Sequence, residues 1–276
     1  MSGQVQSTAG ATAPTRLPRL SIVILSRHRP QALALCLAAL ERQDHPDFEL
    51  VLVADPAGLD LRPDLNIKRI SFDRANVSAA RNLGIAQAAG QVIAFIDDDA
   101  LAPPNWARRL CAGFADPRVI AATGFTRGPD GLSWQAQGER IAPSGETFAI
   151  AVADRVGLGP RDGCPVSTIG TNCAFRRDAL LAIGGFDPAF RYFLDESDVN
   201  MRMAARFPDA LTAIIPDAEV IHGIAAGPQR AAQGVPRSLT DIGRSAVIFA
   251  QRYRASLPPL ELEQRQRLCG ICWGGG

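Results

Sequence analysis

Three adjacent aspartates, Asp97, Asp98 and Asp99, follow an apolar run in "QVIAFIDDDALAPPNW". Like charges repel, and carboxylates at a buried edge cost free energy unless something neutralises them. A divalent cation does so: Mg²⁺ and Mn²⁺ take hard oxygen ligands, commonly one or two carboxylates together with substrate phosphates. In an extended chain Asp97 and Asp99 share one side while Asp98 points to the other. The competing explanation is a helix start, in which acids ahead of "PPNWARRLCAGF" cap the helix and favour its dipole. A cap needs one aspartate and not three, but spacing alone leaves both open.

A second acidic group, Asp195, Glu196 and Asp198 in "RYFLDESDVNMRMAARF", leads into a helical run, where capping would again account for the charge. The stretch ahead of it, "GGFDPAFRYFLDE", brings a glycine pair, a proline and aromatic residues up to the acids, as a loop shaping a wall around a site would. His222 closes "AEVIHG" at the end of an expected strand. There it is either structural or, beside a metal, a neutral imidazole ligand.

Alternating elements must position these groups. "LSIVILS" reads as a buried strand and "QALALCLAALERQ" as a helix. "FELVLVAD" reads as a second strand ending at Asp55, "IKRISF" as a third, "VSAARNLGIAQAAG" as a helix stopped by Gly90, and "QVIAFID" as a fourth strand. This order predicts a parallel sheet covered by helices on both faces. Ligands of such sheets bind beyond the carboxyl ends of the strands, so Ser26 with Arg27, Asp55, and Asp97 to Asp99 are expected to be neighbours. No G-x-G-x-x-G and no G-x-x-x-x-G-K-[ST] occurs, which argues against a dinucleotide enzyme and a P-loop NTPase. After residue 125 Gly and Pro punctuate short elements, and "LTDIGRSAVIFAQRYR" reads as a late helix starting at Ser238 or Thr240. Trp134 is placed either to stack on a sugar ring or to fill the core.

The 276 residues, 47% of them hydrophobic, suffice for a substantial core in one large domain or two small ones. Twenty-nine basic against 28 acidic residues give a net charge of +1, so no nucleic-acid partner is expected. Residues 1–17 read as a disordered tail without the apolar core of a signal peptide, and no apolar run approaches the roughly 20 residues of a membrane span. A cytoplasmic protein is the expectation. The six cysteines are expected to be free thiols, Cys269 and Cys272 forming an isolated C-x-x-C.

In order, "LSIVILSRHRP", "FELVLVADPAG", "NVSAARNLGIAQAAGQVIAFIDDDALAPPNWA", "TNCAFRRDALLAIGGFDPAF", "DESDVNMRM" and "AEVIHG" resemble the markers of family 2 glycosyltransferases with the GT-A fold, over roughly residues 19–224. The resemblance implies an α/β GT-A domain over 18–255, with a nucleotide-sugar half at 18–125, an acceptor half at 126–255 and a tail at 256–276. It implies transfer of a sugar from a nucleoside diphosphate donor to an acceptor hydroxyl with inversion. Asp99 would hold Mn²⁺ or Mg²⁺ on the donor diphosphate, Asp97 would contact the ribose or the metal shell, and Asp98 would lie among the nucleotide-binding residues. Asp55 would recognise the base, Ser26 and Arg27 would lie against the nucleoside, and Arg81 and Asn82 match the family's "RN", with Arg81 near the base or phosphates. Glu196 falls where the family places its catalytic base, with Asp198 on the same turn, and His222 matches a late metal contact.

Two features depart from the pattern: Ala54 stands where many relatives have a first acid, and the Asp195-Glu196 order reverses the usual E-D, so Asp195 competes for the role of base. The acceptor implied is a glycan, a lipid-linked saccharide or a small molecule, with peripheral contact at the inner face of the membrane left open. A sugar nucleotidyltransferase would want a glycine-rich phosphate loop, which "SRHRPQAL" lacks. An inactive nucleotide- or glycan-binding member is the other alternative, kept open by Ala54.

Overall fold

In the computed structural model the described residues are 17–231 and 234–256, so most of the expected N-terminal tail and the pair Cys269 and Cys272 lie outside them. The first half follows the strand–helix alternation: β1 (Leu20–Ser26), α1 (Pro30–Leu40), β2 (Phe48–Ala54), a single turn α2 (Pro56–Leu59), β3 (Ile67–Ser71), α3 (Val77–Gln87) and β4 (Val92–Asp97). A tight turn at Asp98 and Asp99 leads into β5 (Ala100–Leu101), α4 (Trp106–Ala112) and the long β6 (Val119–Arg127). Short strands follow: β7 (Trp134–Ala136), β8 (Gly138–Ile141), β9 (Thr147–Ile150), β10 (Val156–Leu158) and β11 (Val166–Ser167). The remainder is β12 (Asn172–Arg176), α5 (Arg177–Ala182), α6 (Asp195–Arg206), β13 (Leu211–His222) and α7 (Thr240–Tyr253).

The main sheet has the order β10-β13-β6-β12-β4-β1-β2-β3, with β5 added to β13 and β7 to β6. Strands β3, β2, β1 and β4 are parallel, and so are β6 and β13. Between the two parallel blocks β12 runs antiparallel to both β4 and β6. This inserted strand joins the two expected halves into one sheet, and it decides the site. Asn172 at the start of β12 pairs with Ile96 near the end of β4, so the residues just ahead of β12 stand beside Asp97. A second small sheet, β11-β8-β9, is antiparallel.

Both faces of the central strands are buried, which is why "LSIVILS" is apolar at nearly every position. Ile22 and Ile24 face Leu33 and Leu37 of α1 together with Trp106 and Leu110 of α4. Val23 and Phe95 face the opposite cluster, with Ile85 of α3, Phe175, Phe186, and Val199 and Met203 of α6. Each of these fully buried aliphatic or aromatic side chains contributes about 1.5–3 kcal/mol. Helix α3 can approach β1 because position 84 is glycine: a Cβ there would stand 2.4 Å from Val23 Cγ1. The helix does not run to Gly90 as expected but ends at Gln87. Gly90 instead lies against the start of β1, where a Cβ would meet the Ser21 backbone nitrogen at 2.5 Å, so its lack of a side chain serves close packing and not helix termination.

One buried polar side chain ties the sheet to α4. Asn172 donates from Nδ2 to the carbonyls of Phe125 (2.9 Å) and Ala218 (2.8 Å), and its Oδ1 accepts from Trp106 Nε1 (2.8 Å). Strands β6, β12 and β13 and helix α4 therefore share one amide. Among the described residues no helix is long and apolar enough to cross a membrane. Asn172→Ala deletes all three bonds and leaves their partners buried, so it is expected to cost about 3 kcal/mol. Urea denaturation checks this as a lowered midpoint at unchanged slope.

Candidate active site

The β1–α1 loop sets the first wall. His28 adopts φ +56°, a conformation costly for a residue with a side chain, and Asp55 at the end of β2 holds it by accepting from the His28 N–H at 3.0 Å. The turn sends Arg27 to Asp73 (Nε to Oδ1, 2.8 Å) and turns Arg29 inward. Asp55 is buried and braces this loop, while the cleft beside it is lined by other groups: Leu25, Ser26, Phe72, Arg74, Asn76 and Tyr192. The Arg74 guanidinium lies over the Phe72 ring at 5.1 Å. The cleft, of about 150 Å³, also takes in Arg27, Arg29, Asp97 and Arg230. The Ser26 hydroxyl is buried and interacts with the Asp98 carboxyl behind the cleft.

The three aspartates divide into two directions, set by the turn at Asp98 and Asp99 that follows β4. Asp98 is fully buried and turned away to the Arg29 guanidinium, beside Cys36. Burial raises its carboxyl to about 7, with Arg29 acting against that rise. It therefore anchors the loop from behind and does not line the cleft. Asp97 and Asp99 turn the other way, and β5 pairs with the end of β13 so that His222 faces Ala100 and its ring meets both carboxylates. His222 Nε2 is 3.3 Å from Asp99 Oδ1 and 3.7 Å from Asp97 Oδ2. One ligand atom from each of Asp97, Asp99 and His222 lies within 4.8 Å of the other two. The helix-start explanation is overturned: α4 begins at Trp106, and its N-cap is Asn105.

The donor set suits a hard divalent cation. Asp99 Oδ2 is already used, accepting from Ala225 N–H (2.7 Å), Arg29 Nη1 (3.0 Å) and Arg230. Oδ1 is buried and faces His222 Nε2. The histidine ring is oriented by Gln135, whose Oε1 lies 3.0 Å from Nδ1, so that Nε2 is the ring nitrogen turned toward the carboxylates. Although burial acts upward, His222, Arg29 and Arg230 hold the Asp99 carboxyl well below the usual carboxylate range.

The second acidic group splits into three tasks. Helix α6 starts at Asp195 after two residues in the left-handed region, Phe193 (φ +73°) and Leu194 (φ +61°), and no side chain caps it. Asp195 is buried against Arg81. Glu196 reaches outward, its side chain a quarter exposed, and lies beside Gly170, whose added Cβ would be 3.4 Å from Glu196 Oε1. Residue 170 precedes β12, so Glu196 stands on the Asp97 side of the sheet end. Burial, and then the Asp195 charge, raise the Glu196 carboxyl well above the usual range, with Arg81 acting against them. Asp198 is fully buried in a knot with Arg202 Nε (2.7 Å), Arg252 Nη1 (2.6 Å) and Tyr253 OH (2.8 Å), which pins the end of α7 to α6.

Two further expectations find different positions. Asn82 exchanges both amide hydrogen bonds with the Phe186 backbone (2.7 and 2.9 Å), fastening the loop that leads to α6. Arg81 turns toward the acids of α6 and does not line the donor cleft. Trp134 is partly exposed, edge-on to Phe125 and stacked by Arg127 at 3.8 Å. Arg29 and Arg230 are the site residues that sequence reasoning missed. Arg29 was signalled by the same basic loop as Arg27, whereas Arg230 lies in an irregular segment without any periodic cue.

An open sheet end carrying Asp-x-Asp, a facing histidine and a cleft lined by basic and aromatic groups characterises a GT-A glycosyltransferase. The solved structures with similar folds agree: a Pyrobaculum calidifontis mannosyltransferase in complex with GDP-Man and Mn²⁺ matches at TM-score 0.55 and 18% identity, over 95% of this chain and 83% of that one. GalNAc-T7 with UDP, GalNAc and Mn²⁺ matches at TM-score 0.62 and 17% identity, over 87% and 50%. At these identities the likeness is one of fold. The family profile "Glycosyl transferase family 2" matches residues 21–184, and the chain belongs to that family. Among curated relatives, the glucosyl-dolichyl phosphate glucuronosyltransferase of Haloferax volcanii is 27% identical over 179 residues, 61% of this chain and 56% of the relative. The chain thus spans a little over half the length of that relative.

Asp198→Asn removes one charge from its knot and leaves the arginines facing a neutral amide. It is expected to lower stability by about 3 kcal/mol or more, as loss of one partner of a buried ion pair does. Chemical denaturation measures the loss, and turnover per folded molecule is expected to stay within a few-fold of the parent.

Proposed function

We propose that the protein transfers a hexosyl group from a nucleoside diphosphate sugar to an acceptor hydroxyl in one inverting displacement, dependent on Mn²⁺ or Mg²⁺. The observation that carries this reading is the placement of two unlike acidic groups at one sheet end: Asp97, Asp99 and His222 gathered within ligand range, and the outward-reaching Glu196 across the start of β12. Asp97, Asp99 Oδ1 and His222 Nε2 would hold the cation. Such an ion supplies charge stabilisation to the departing diphosphate. Ser26, Arg27 and the Phe72–Arg74 segment receive the nucleoside in the cleft, and Arg29 and Arg230 add positive charge beside the phosphates. Asp55 serves this site indirectly, by holding the His28 turn.

Glu196, and not Asp195, takes the proton of the attacking hydroxyl. Its carboxylate is accessible, whereas Asp195 is buried and committed to Arg81. A single base and a stabilised leaving group suffice for one displacement; a glycosidase, by contrast, needs two carboxyls flanking the bond. The base must be ionised to act, so turnover is low below the raised Glu196 pKa and rises as pH passes through it. The substrate in the Haloferax relative's name, a glucosyl-dolichyl phosphate, supports a lipid-linked saccharide as acceptor, alongside glycans and small-molecule alcohols. A cytoplasmic location with peripheral membrane contact accompanies that acceptor class.

Nucleoside diphosphate release from UDP-glucose, UDP-glucuronate, UDP-N-acetylgalactosamine and GDP-mannose, with Mn²⁺ or Mg²⁺, tests the reading. Asp99→Ala and Glu196→Gln are each expected to lower kcat about 100-fold or more. Tight nucleotide binding with no turnover of any donor would establish a binding protein instead.

The Arg230 guanidinium contacts Asp99 and stands 3.4 Å from His222 Nε2, so a bound cation shares its corner with a fixed positive charge. Arg230→Ala is therefore expected to strengthen Mn²⁺ binding to the nucleotide-free protein about tenfold, the effect of roughly 1.4 kcal/mol of relieved repulsion. Calorimetric titration with Mn²⁺ measures it, and an unchanged affinity would remove Arg230 from the metal corner.

A further inference from the structure

Arg81 is the most thoroughly buried cation whose task the proposed reaction leaves unassigned. Only 4% of the residue is exposed, and its guanidinium lies 4.9 Å from the centre of the Phe186 ring and 5.5 Å from that of Phe95. Its Nη1 pairs with Asp195 Oδ2 and stands 3.7 Å from Glu196 Oε2, while Nη2 donates to the Gly170 carbonyl at 3.3 Å. Gly170 makes that approach feasible: a Cβ would fall 2.9 Å from Nη2 and 3.4 Å from the Glu196 carboxyl carbon. One arginine thus touches both neighbouring acids from a position that substrate does not reach.

We infer that Arg81 is a positioning residue that divides the work of the acidic pair, holding Asp195 as a buried counter-ion so that Glu196 alone accepts the acceptor proton. This rests on the assignment of Glu196 as base. The physical reason is the cost of the alternative. If Asp195 took the proton, Arg81 would be left as a buried charge without its partner, which is strongly unfavourable. Protonating Glu196 leaves the Arg81–Asp195 pair whole, and the exposed part of the Glu196 side chain is open to an incoming hydroxyl.

The charged and titratable groups facing Glu196 are few. Asp195 on its own helix raises its proton affinity, Arg81 on α3 lowers it, and the Cys173 thiol on β12 is kept neutral by burial. Asp97 on β4 acts on Arg81 and Cys173. The two partners therefore pull Glu196 in opposite directions, which a merely structural arginine would not do. Arg81→Met leaves the two carboxyls to share their protons and raises the Glu196 midpoint. Asp195→Asn removes the like charge, leaves Arg81 wholly to Glu196 and lowers it. Each shift is expected to be about one pH unit or more. Arg81→Lys keeps the charge and is expected to fall between Arg81→Met and the parent.

The test is a ¹³C NMR titration of the Glu196 side-chain carboxyl in the full chain, assigned by its loss in Glu196→Gln, for the parent and the three variants. Opposite shifts for Arg81→Met and Asp195→Asn are the expected result. Midpoints that stay put or move the same way would overturn the inference. Should Arg81→Met not fold, the direction for Asp195→Asn decides alone, with Arg81→Lys as its control. The base assignment fails separately: if Glu196→Gln retains donor turnover, the proposed base is wrong whatever the titrations show.

Discussion

Carboxylates crowd one end of the sheet, and the structure depends on how their charge is met in a poorly solvated setting. Asp98, Asp99, Asp195 and Asp198 are all buried, and each faces at least one guanidinium. Removing a carboxylate from water costs several kcal/mol, and only close, well-aligned counter-charges and hydrogen bonds offset that cost. The arginines are accordingly drawn from distant parts of the chain: Arg29 from the first loop, Arg81 from α3, Arg230 from the segment after β13, and Arg252 from the end of α7. Arginine suits the task because its planar fork can hold two acceptors at once, as Arg29 does between Asp98 and Asp99.

This charge pairing couples the fold to the site. The Asp98–Arg29 pair holds the β1–α1 loop against the end of β4, and Asp55 keeps the strained His28 turn between them. The Asp198 knot ties α7 to α6 and so steadies the helix that presents Glu196. Asp97 and Glu196 are the acids of the two groups whose side chains keep substantial exposure. Partners already in place around Asp99 Oδ2 leave Oδ1 turned to His222, so the cluster is oriented by the chain itself.

The antiparallel insertion of β12 matters as much as the charges. Had β12 run parallel to β4 and β6, its leading residues would have lain at the opposite rim, where β4 begins. With β12 reversed between β4 and β6, its leading residues, Gly170 and Thr171, reach the rim where β4 ends. They bring Glu196 to the same rim as the aspartates at the end of β4. Asn172, with three buried hydrogen bonds, fixes that register.

Local patterns in the chain determined a good deal. The buried runs "LSIVILS" and "VIAFID", the acidic start of α6 and the strand-end position of His222 follow from alternation, propensity and spacing, which act within a few residues. The order of the quoted motifs pointed to the GT-A fold. What only the tertiary structure decided was how each charged group is used. Asp55, Asn82, Arg81 and Asp198 all looked available for ligands or catalysis, yet their partners lie 27, 104, 114 and 54 positions away in the chain. Gly90 likewise read as a helix stop until the close approach of β1 explained it. A carboxylate's role depends on whether a counter-charge desolvates it or water still reaches it, and that is set by contacts between distant elements, which no local pattern encodes.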